Sequence, residues 1–590
     1  MRFLIRILCL LALTVAATPT LAAPRPAPIG QITSVAADGN GNATVTGWSC
    51  EPGNTAPIKV HLYVGGAYPA GQMMQQADAS GEATAPGCAG ARHGFTASVP
   101  AATLFRYAGL QVFAHGIAGD NATSALLGGS GRFALPDYSP IPASHRVCDI
   151  SDLAGLASCL AHAPQFDEFA LRADLVCRNA AECCPGNAAL IRLDGLSKHV
   201  FNGNGHVLRR AQGAPACPAV TIKSGQEIVV RNLSLDENEQ EAPCELATKS
   251  CASTILVESA HTVRLEGVHV YSGKGYVVKV WAVDGFAFAN SSLSDSGIIG
   301  LYVGHYKYGH TDNLVIANSV IARSRTNAIA IQGAYAKDMA SPVLLINNVL
   351  TGNHWHGLWP VGGVPGGITT GGQLLIGDGA NIRVTGTIEG DGACGNCVPA
   401  GQTVGGLEIG DDNGPGAGLH GLAIDHNYMY SAAAVAVGQN PNTPVSEVSV
   451  SDNNAIGFAY FDSLKATGTA RVRNNLVTAD ATVVRSGPAL NTINRGNTGF
   501  ALSPAPRLGA AMTPLFRCQR GKSELVSLSR DCDRAGQLKA VLGYSWEPSH
   551  RDARPLFACQ SAAEVFPSFD PKCEGQKQLA QLGYALPKAP

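Results

Sequence analysis

The sequence predicts a mainly β protein whose centre winds as a solenoid of short strands, and three observations carry this. First, alternating apolar segments with an Asn at the bend recur through the middle of the chain: VVRNLSL (229–235), FAFANSSL (286–293), LVIANSVI (314–321), VLLINNVL (343–350), LAIDHNYMY (422–430), VSVSDNNAI (448–456) and ARVRNNLV (470–477). Second, another set lies between them: GLYVGH (300–305), AIAIQG (328–333), GLWPVG (357–362), GLEIGD (406–411) and AVAVGQ (434–439). Units about 25 to 50 residues apart, each built from short strands, are the mark of a repeat architecture. Third, the apolar residues recur at a spacing of two and not of three and four, which excludes helices. With 45% apolar and 15% charged residues and 68 glycines, the composition also favours strands and turns.

The remaining elements follow in chain order. Arg2 and Arg6 precede an apolar run (7–17) too short to span a bilayer, and Thr20-Leu21-Ala22 offers a small-x-small cleavage site. Residues 1–22 are therefore read as a signal peptide, so the mature chain is expected outside the cytoplasm, secreted, periplasmic or at the cell surface, without an integral membrane segment. Residues 29–135 alternate as short strands between Gly, Pro and Asn turns, which predicts a small β-sandwich. Trp48 and Tyr63 there could stack on sugar rings, or Trp48 could pack against a Cys50–Cys88 bridge. The solenoid is assigned to 145–500, with regular coils from about 195. Residues 514–587 hold two copies of one unit, PLFRCQRGKSELVSLSRDC and PLFACQSAAEVFPSFDPKC, each followed by LGY.

Sixteen of the 17 cysteines lie beyond the signal segment, an even number in an oxidising compartment, so disulfides are expected. The nearest pairs are Cys50 with Cys88, Cys244 with Cys251, Cys518 with Cys532 and Cys559 with Cys573. Cys394-Gly-Asn-Cys397 lacks a second half at zinc-finger spacing and reads as a loop disulfide. A net charge of −2 gives no reason to expect nucleic acid as a partner.

The coil pattern resembles the right-handed parallel β-helix of the pectin lyase-like superfamily over roughly half the chain. The N-terminal unit resembles accessory domains beside carbohydrate-active modules of secreted bacterial proteins, and the C-terminal copies resemble small repeats at the ends of such proteins. The resemblance implies a polysaccharide partner and, in a monomer, lyase or glycoside hydrolase chemistry; a non-catalytic glycan-binding or adhesin-like protein is the alternative. The Asn-Thr-Asp and Gly-His-Gly blocks of polygalacturonases and the Asp-Pro-His-Asp signature of mannuronan epimerases are absent. Calcium, used by pectate lyases, is supported by no motif here, so no cofactor or metal ligand is assigned.

In such a solenoid Leu301, Ile329, Leu358, Leu407 and Val435 point inward. Tyr302, Ala330, Trp359, Glu408 and Ala436 then form one outward ladder, with Tyr302, Trp359 and Glu408 as a saccharide platform. Polar loops follow these strands, beginning with GLYVGHYKYGH (300–310). For β-elimination on a uronate, His305, Tyr306, Lys307, His310 and Lys337 could supply base and cation, with Arg323 and Arg325 binding nearby. For hydrolysis, Asp338 would face Asp411 and Asp412 two coils away, about 10 Å at the backbone. Against both stands a plain solvated-turn reading of the same residues.

Overall fold

A computed structural model describes residues 26 to 585 with interruptions, the longer of which are 238–252, 354–372, 390–404, 410–417, 438–444, 462–468, 501–512, 528–536 and 546–553. Two four-stranded antiparallel sheets come first. One joins β1 (Ile29–Ala37), β2 (Ala43–Cys50), β5 (Gly81–Glu82) and β6 (Arg92–Val99). The other joins β3 (Lys59–Val64), β4 (Gln72–Asp78), β7 (Val112–Ile117) and β8 (Ser124–Leu126). A short helix, α1 (Ala101–Tyr107), closes one end with Leu104, Phe105 and Tyr107 buried.

From Val147 the chain winds into a parallel β-helix with three strands per coil. The coil around residue 300 runs Ile299–Val303 on one face, Thr311–Asp312 at a corner, Val315–Ala317 on the next face and Val320–Ala322 on the third. Every one of these pairs in parallel with its counterpart in the next coil. The third face alone stacks twelve strands, from Leu175–Cys177 to Thr498–Phe500. Inward residues form continuous apolar columns, among them Leu301, Ile329, Leu374 and Leu407, all fully buried. Each such side chain contributes about 1.5–3 kcal/mol relative to exposure. The register corrects one expectation: the column passes through Leu374, the place that the sequence reading gave to Leu358.

The asparagines occupy two adjacent columns. Asn232, Asn290, Asn318, Asn347 and Asn474 sit in the left-handed region with φ near +50°, where a carboxamide side chain is tolerated best after glycine. One residue later, Asn348, Asn427, Asn453 and Asn475 point inward and are buried. Asn427 Nδ2 donates to Asn453 Oδ1 at 3.0 Å, and Asn453 Nδ2 donates to Asn475 Oδ1 at 2.9 Å. Each acceptor also takes the backbone N–H of the preceding coil's Asn, at 2.9 and 3.0 Å. A buried polar ladder is stable only when its members are satisfied, and here they are.

The N-terminal sheets pack on the outside of the solenoid. Val60, Leu62, Phe105 and Tyr107 share one buried cluster with Val229, Ala287, Val315, Leu344 and Ile346, which point outward from one solenoid face. That face is thus apolar on both sides, which explains continuous runs such as VLLI at Val343–Ile346. The contact also includes charge-assisted hydrogen bonds from the solenoid. Arg264 pairs with Glu266 at 2.9 Å and donates to the Phe105 and Ala108 carbonyls at 2.7 and 2.8 Å. The C-terminal copies form two three-stranded antiparallel sheets, and Gln537–Ser545 lies against His269–Tyr271 and Ser292–Ser294 of the third face.

Five disulfides form among the described residues. Cys50–Cys88 and Cys559–Cys573 agree with the expected pairs, and Cys148–Cys159, Cys177–Cys183 and Cys184–Cys217 staple the first coils. Such a number belongs to an oxidising, extracytoplasmic compartment. The bridges proposed for Cys244 with Cys251 and Cys518 with Cys532, and the Cys394–Cys397 loop, lie outside the described side chains. Among the described residues no helix is long and apolar enough to cross a membrane.

Candidate active site

One face is covered by the N-terminal sheets and another carries the last repeats, which directs attention to the remaining face and its corner with the covered one. At that corner, parallel pairing brings one residue per coil into a single column: His261, Asp284, Asp312, Tyr335, Ala380 and His420. All but Ala380 carry acid–base or hydrogen-bonding side chains. His261, Asp284, Asp312 and His420 are exposed.

The approach to this column explains part of GLYVGHYKYGH. Gly304 has φ +71°, and a Cβ there would sit 2.2 Å from the Gly333 carbonyl oxygen; Gly309 has φ +121°, and its Cβ would meet that of Ala282 at 2.6 Å. Both glycines are required by the backbone as the chain leaves one face for the corner. His310 then places its ring 4.8 Å from Tyr335, edge to face. The Tyr335 hydroxyl donates to Asp378 Oδ2 at 2.8 Å, and Asp378 is 2% exposed. Asp284 Oδ1 accepts from Asn313 Nδ2 at 2.9 Å, and His261 Nδ1 lies 3.9 Å from Asp284 Oδ2.

Environment separates these groups. Asp312 is exposed as a residue, but partial desolvation of its carboxyl, and then the charge of Asp284, raise that carboxyl above the ordinary range, with His310 opposing. Burial raises the Tyr335 phenol, and its bond to Asp378 and the charges of Asp378 and Asp312 add to this, so it holds its proton. Asp284 and Asp312 belong to strands one rung apart, about 4.8 Å. Glycosidases hold their two carboxyl groups about 5 to 9.5 Å apart, a separation that side chains on adjacent rungs can reach. Among the described residues no group of three or more His, Cys, Asp or Glu side chains could hold a metal ion.

A second cluster lies on the adjoining face. The outward column there reads Lys279, Tyr302, Ala330, Leu375, Glu408 and Ala436. Leu375 thus takes the rung expected for Trp359. Tyr302 is 6% exposed, packed near Tyr276 and Trp281 with its hydroxyl on Gln332 Oε1, so it is no exposed platform. Lys279 Nζ sits 3.6 Å from the Trp281 ring centroid and 4.9 Å from that of Tyr276. Burial lowers its ammonium to about 8, against the charge of Glu258.

The other candidates divide. Lys337 is exposed on the turn after Tyr335. Asp338 is exposed there too, but its Oδ1 accepts from the Ala340 and Ser341 N–H groups at 3.1 Å each, an Asx turn. Arg323 pairs with Asp295 at 2.7 Å, at the other end of the Ile329–Tyr335 strand from Lys337, so the two do not meet. Glu408 is placed on its strand without a described side chain; His305, Tyr306, Lys307, Arg325, Trp359, Asp411 and Asp412 lie outside the described residues. In the N-terminal unit Tyr63 is 7% exposed, which removes it as a stacking surface. Asp284 and Asp312 are not among the residues singled out from the sequence; only the register across coils sets them side by side.

No family model matches the chain, and no curated protein does. Among solved structures, the mannuronan C-5 epimerase AlgE4 A-module of Azotobacter vinelandii aligns at 16% identity and TM-score 0.31, over 60% of this chain and 98% of its own. A polygalacturonase from Erwinia carotovora aligns at 13% identity and TM-score 0.37, over the same shares. PfbA, a surface adhesin of Streptococcus pneumoniae, aligns at 9% identity and TM-score 0.34, over 60% of this chain and 80% of its own. These likenesses assign no chemistry, so the case for function rests on the side chains.

Proposed function

We propose that the chain is a secreted polysaccharide-processing enzyme that binds its glycan across the corner between the two faces and hydrolyses it with Asp312 and Asp284. The observation that carries this reading is the pair itself, two carboxyl groups on successive rungs with one raised by its surroundings. Asp312, which holds its proton to higher pH than an ordinary Asp, gives it to the glycosidic oxygen as the bond to the anomeric carbon breaks. Asp284 faces the developing positive charge, as nucleophile or as the base that directs water. Tyr335, fixed by Asp378, presents a phenol rather than a phenolate, and His310 packs against its ring.

A second reading is β-elimination on a uronate, and Lys279 favours it. An amine lowered to about 8 by burial is poised to remove a proton near neutral pH. The two chemistries leave different products. Purified protein incubated with a panel of acidic and neutral polysaccharides should release reducing ends without an ultraviolet-absorbing unsaturated uronate. An unsaturated product would assign elimination instead. Binding with neither product would assign an adhesin-like role and overturn catalysis.

A further inference from the structure

Building on that glycan reading, we propose that the N-terminal unit supplies an outlying sugar-binding subsite at Tyr68, on a strip continuous with the candidate site. Of the five large hydrophobic residues exposed among the described residues, three (Tyr68, Met73 and Met339) collect where this unit meets the solenoid. Tyr68 is 61% exposed yet fixed: its ring packs 5.8 Å from Tyr63 and 6.2 Å from His115, and its N–H donates to His115 Nε2 at 3.3 Å. An aromatic ring held ready in this way stacks on a sugar with little further loss of freedom.

The strip is continuous because the loop after Tyr68 is bound to the solenoid. Arg383 donates to the Pro69, Ala70 and Gly71 carbonyls at 2.8, 3.3 and 3.0 Å, and Thr385 Oγ1 donates to Ala70 at 2.9 Å. Gln72 Nε2 reaches the Ala340 carbonyl at 3.1 Å. Ala340 lies on the turn that leaves Tyr335 and carries the exposed Lys337 and Met339. Arg383 lies three residues beyond Ala380, the strand partner of Tyr335, just past the left-handed bend at Asn381 (φ +55°). A bound polysaccharide leaving the site over Lys337 and Met339 therefore meets Tyr68 within a few rings.

The test uses the full chain with ladders of oligogalacturonates and xylo-oligosaccharides, measured by calorimetry for wild type, Tyr68→Ala, Tyr68→Phe and Met339→Ala. Tyr68→Ala should weaken the longest bound oligomer about tenfold and leave the shortest one unchanged. Tyr68→Phe should keep the affinity, and Met339→Ala should repeat the length-dependent loss from the solenoid side. Equal affinity of Tyr68→Ala for long oligomers, or an equal loss at all lengths, overturns the subsite while the glycan reading stands. Absence of binding by wild type at every length overturns both.

Discussion

Asp284 and Asp312 are partners across one rung of the solenoid, and the charge of the first adds to burial in raising the carboxyl of the second. The raised group holds its proton to higher pH than an ordinary Asp, so an activity that needs this proton falls as pH rises through the Asp312 value. Asp312→Asn should lower kcat about 10²–10⁴-fold and remove that alkaline limb, read from kcat/KM against pH.

Stability should move the other way. A carboxyl raised in the folded state contributes stability that is complete below its unfolded value near 3.8 and is lost as pH rises through the folded value. Asp312→Asn removes this loss. At neutral pH the variant should melt no lower than wild type, and a lower melting temperature would show that Asp312 has a structural role.

Docking of the N-terminal unit depends on Arg383. Burial alone would raise the Asp425 carboxyl, but hydrogen bonds from His426 and Arg383 and the Arg383 charge hold it below the usual range. Its contribution is present above the unfolded value near 3.8 and is lost as pH falls through the depressed folded value. Arg383→Met leaves Asp425 buried with fewer partners and should cost about 3–5 kcal/mol. Hydrogen exchange should then rise across residues 65–73, and in wild type the same segment should loosen only on acidification below about pH 4.

Asn453 tests the internal ladder. Replacing it with Ala removes the acceptor of two Asn427 donors and the partner of Asn475 inside the solenoid. A loss of about 2–4 kcal/mol is expected, since unsatisfied buried groups cost about 1–3 kcal/mol each. Urea denaturation followed by circular dichroism measures it. Asn474, on the outer column, should tolerate replacement by Gly, because what that position requires is a positive φ.

The repeat was legible because inward Leu and Ile, outward polar residues and bend Asn recur with the period of a strand. Its register was not. Coils of unequal length leave each rung's partner undetermined, which is how Leu358 and Trp359 were placed where Leu374 and Leu375 stand. The outer apolar side of Val315–Ala317 and Val343–Ile346 did carry a signal, since strands apolar at successive positions are covered on both sides. Of the site, His310 and Tyr335 lay in or beside the polar loops singled out from the sequence. Asp284 and Asp312 gained meaning only from their neighbours in space, and Asp338, equally prominent in sequence, is engaged by its own turn.

The account is tested most directly by product analysis of wild type, Asp284→Asn and Asp312→Asn on whichever polysaccharide of the panel is degraded. Wild type should release reducing ends without unsaturated uronate, and each variant should lose at least about a hundredfold in rate while still binding the glycan. Undiminished release by both variants, or an unsaturated product as the main outcome, would contradict it.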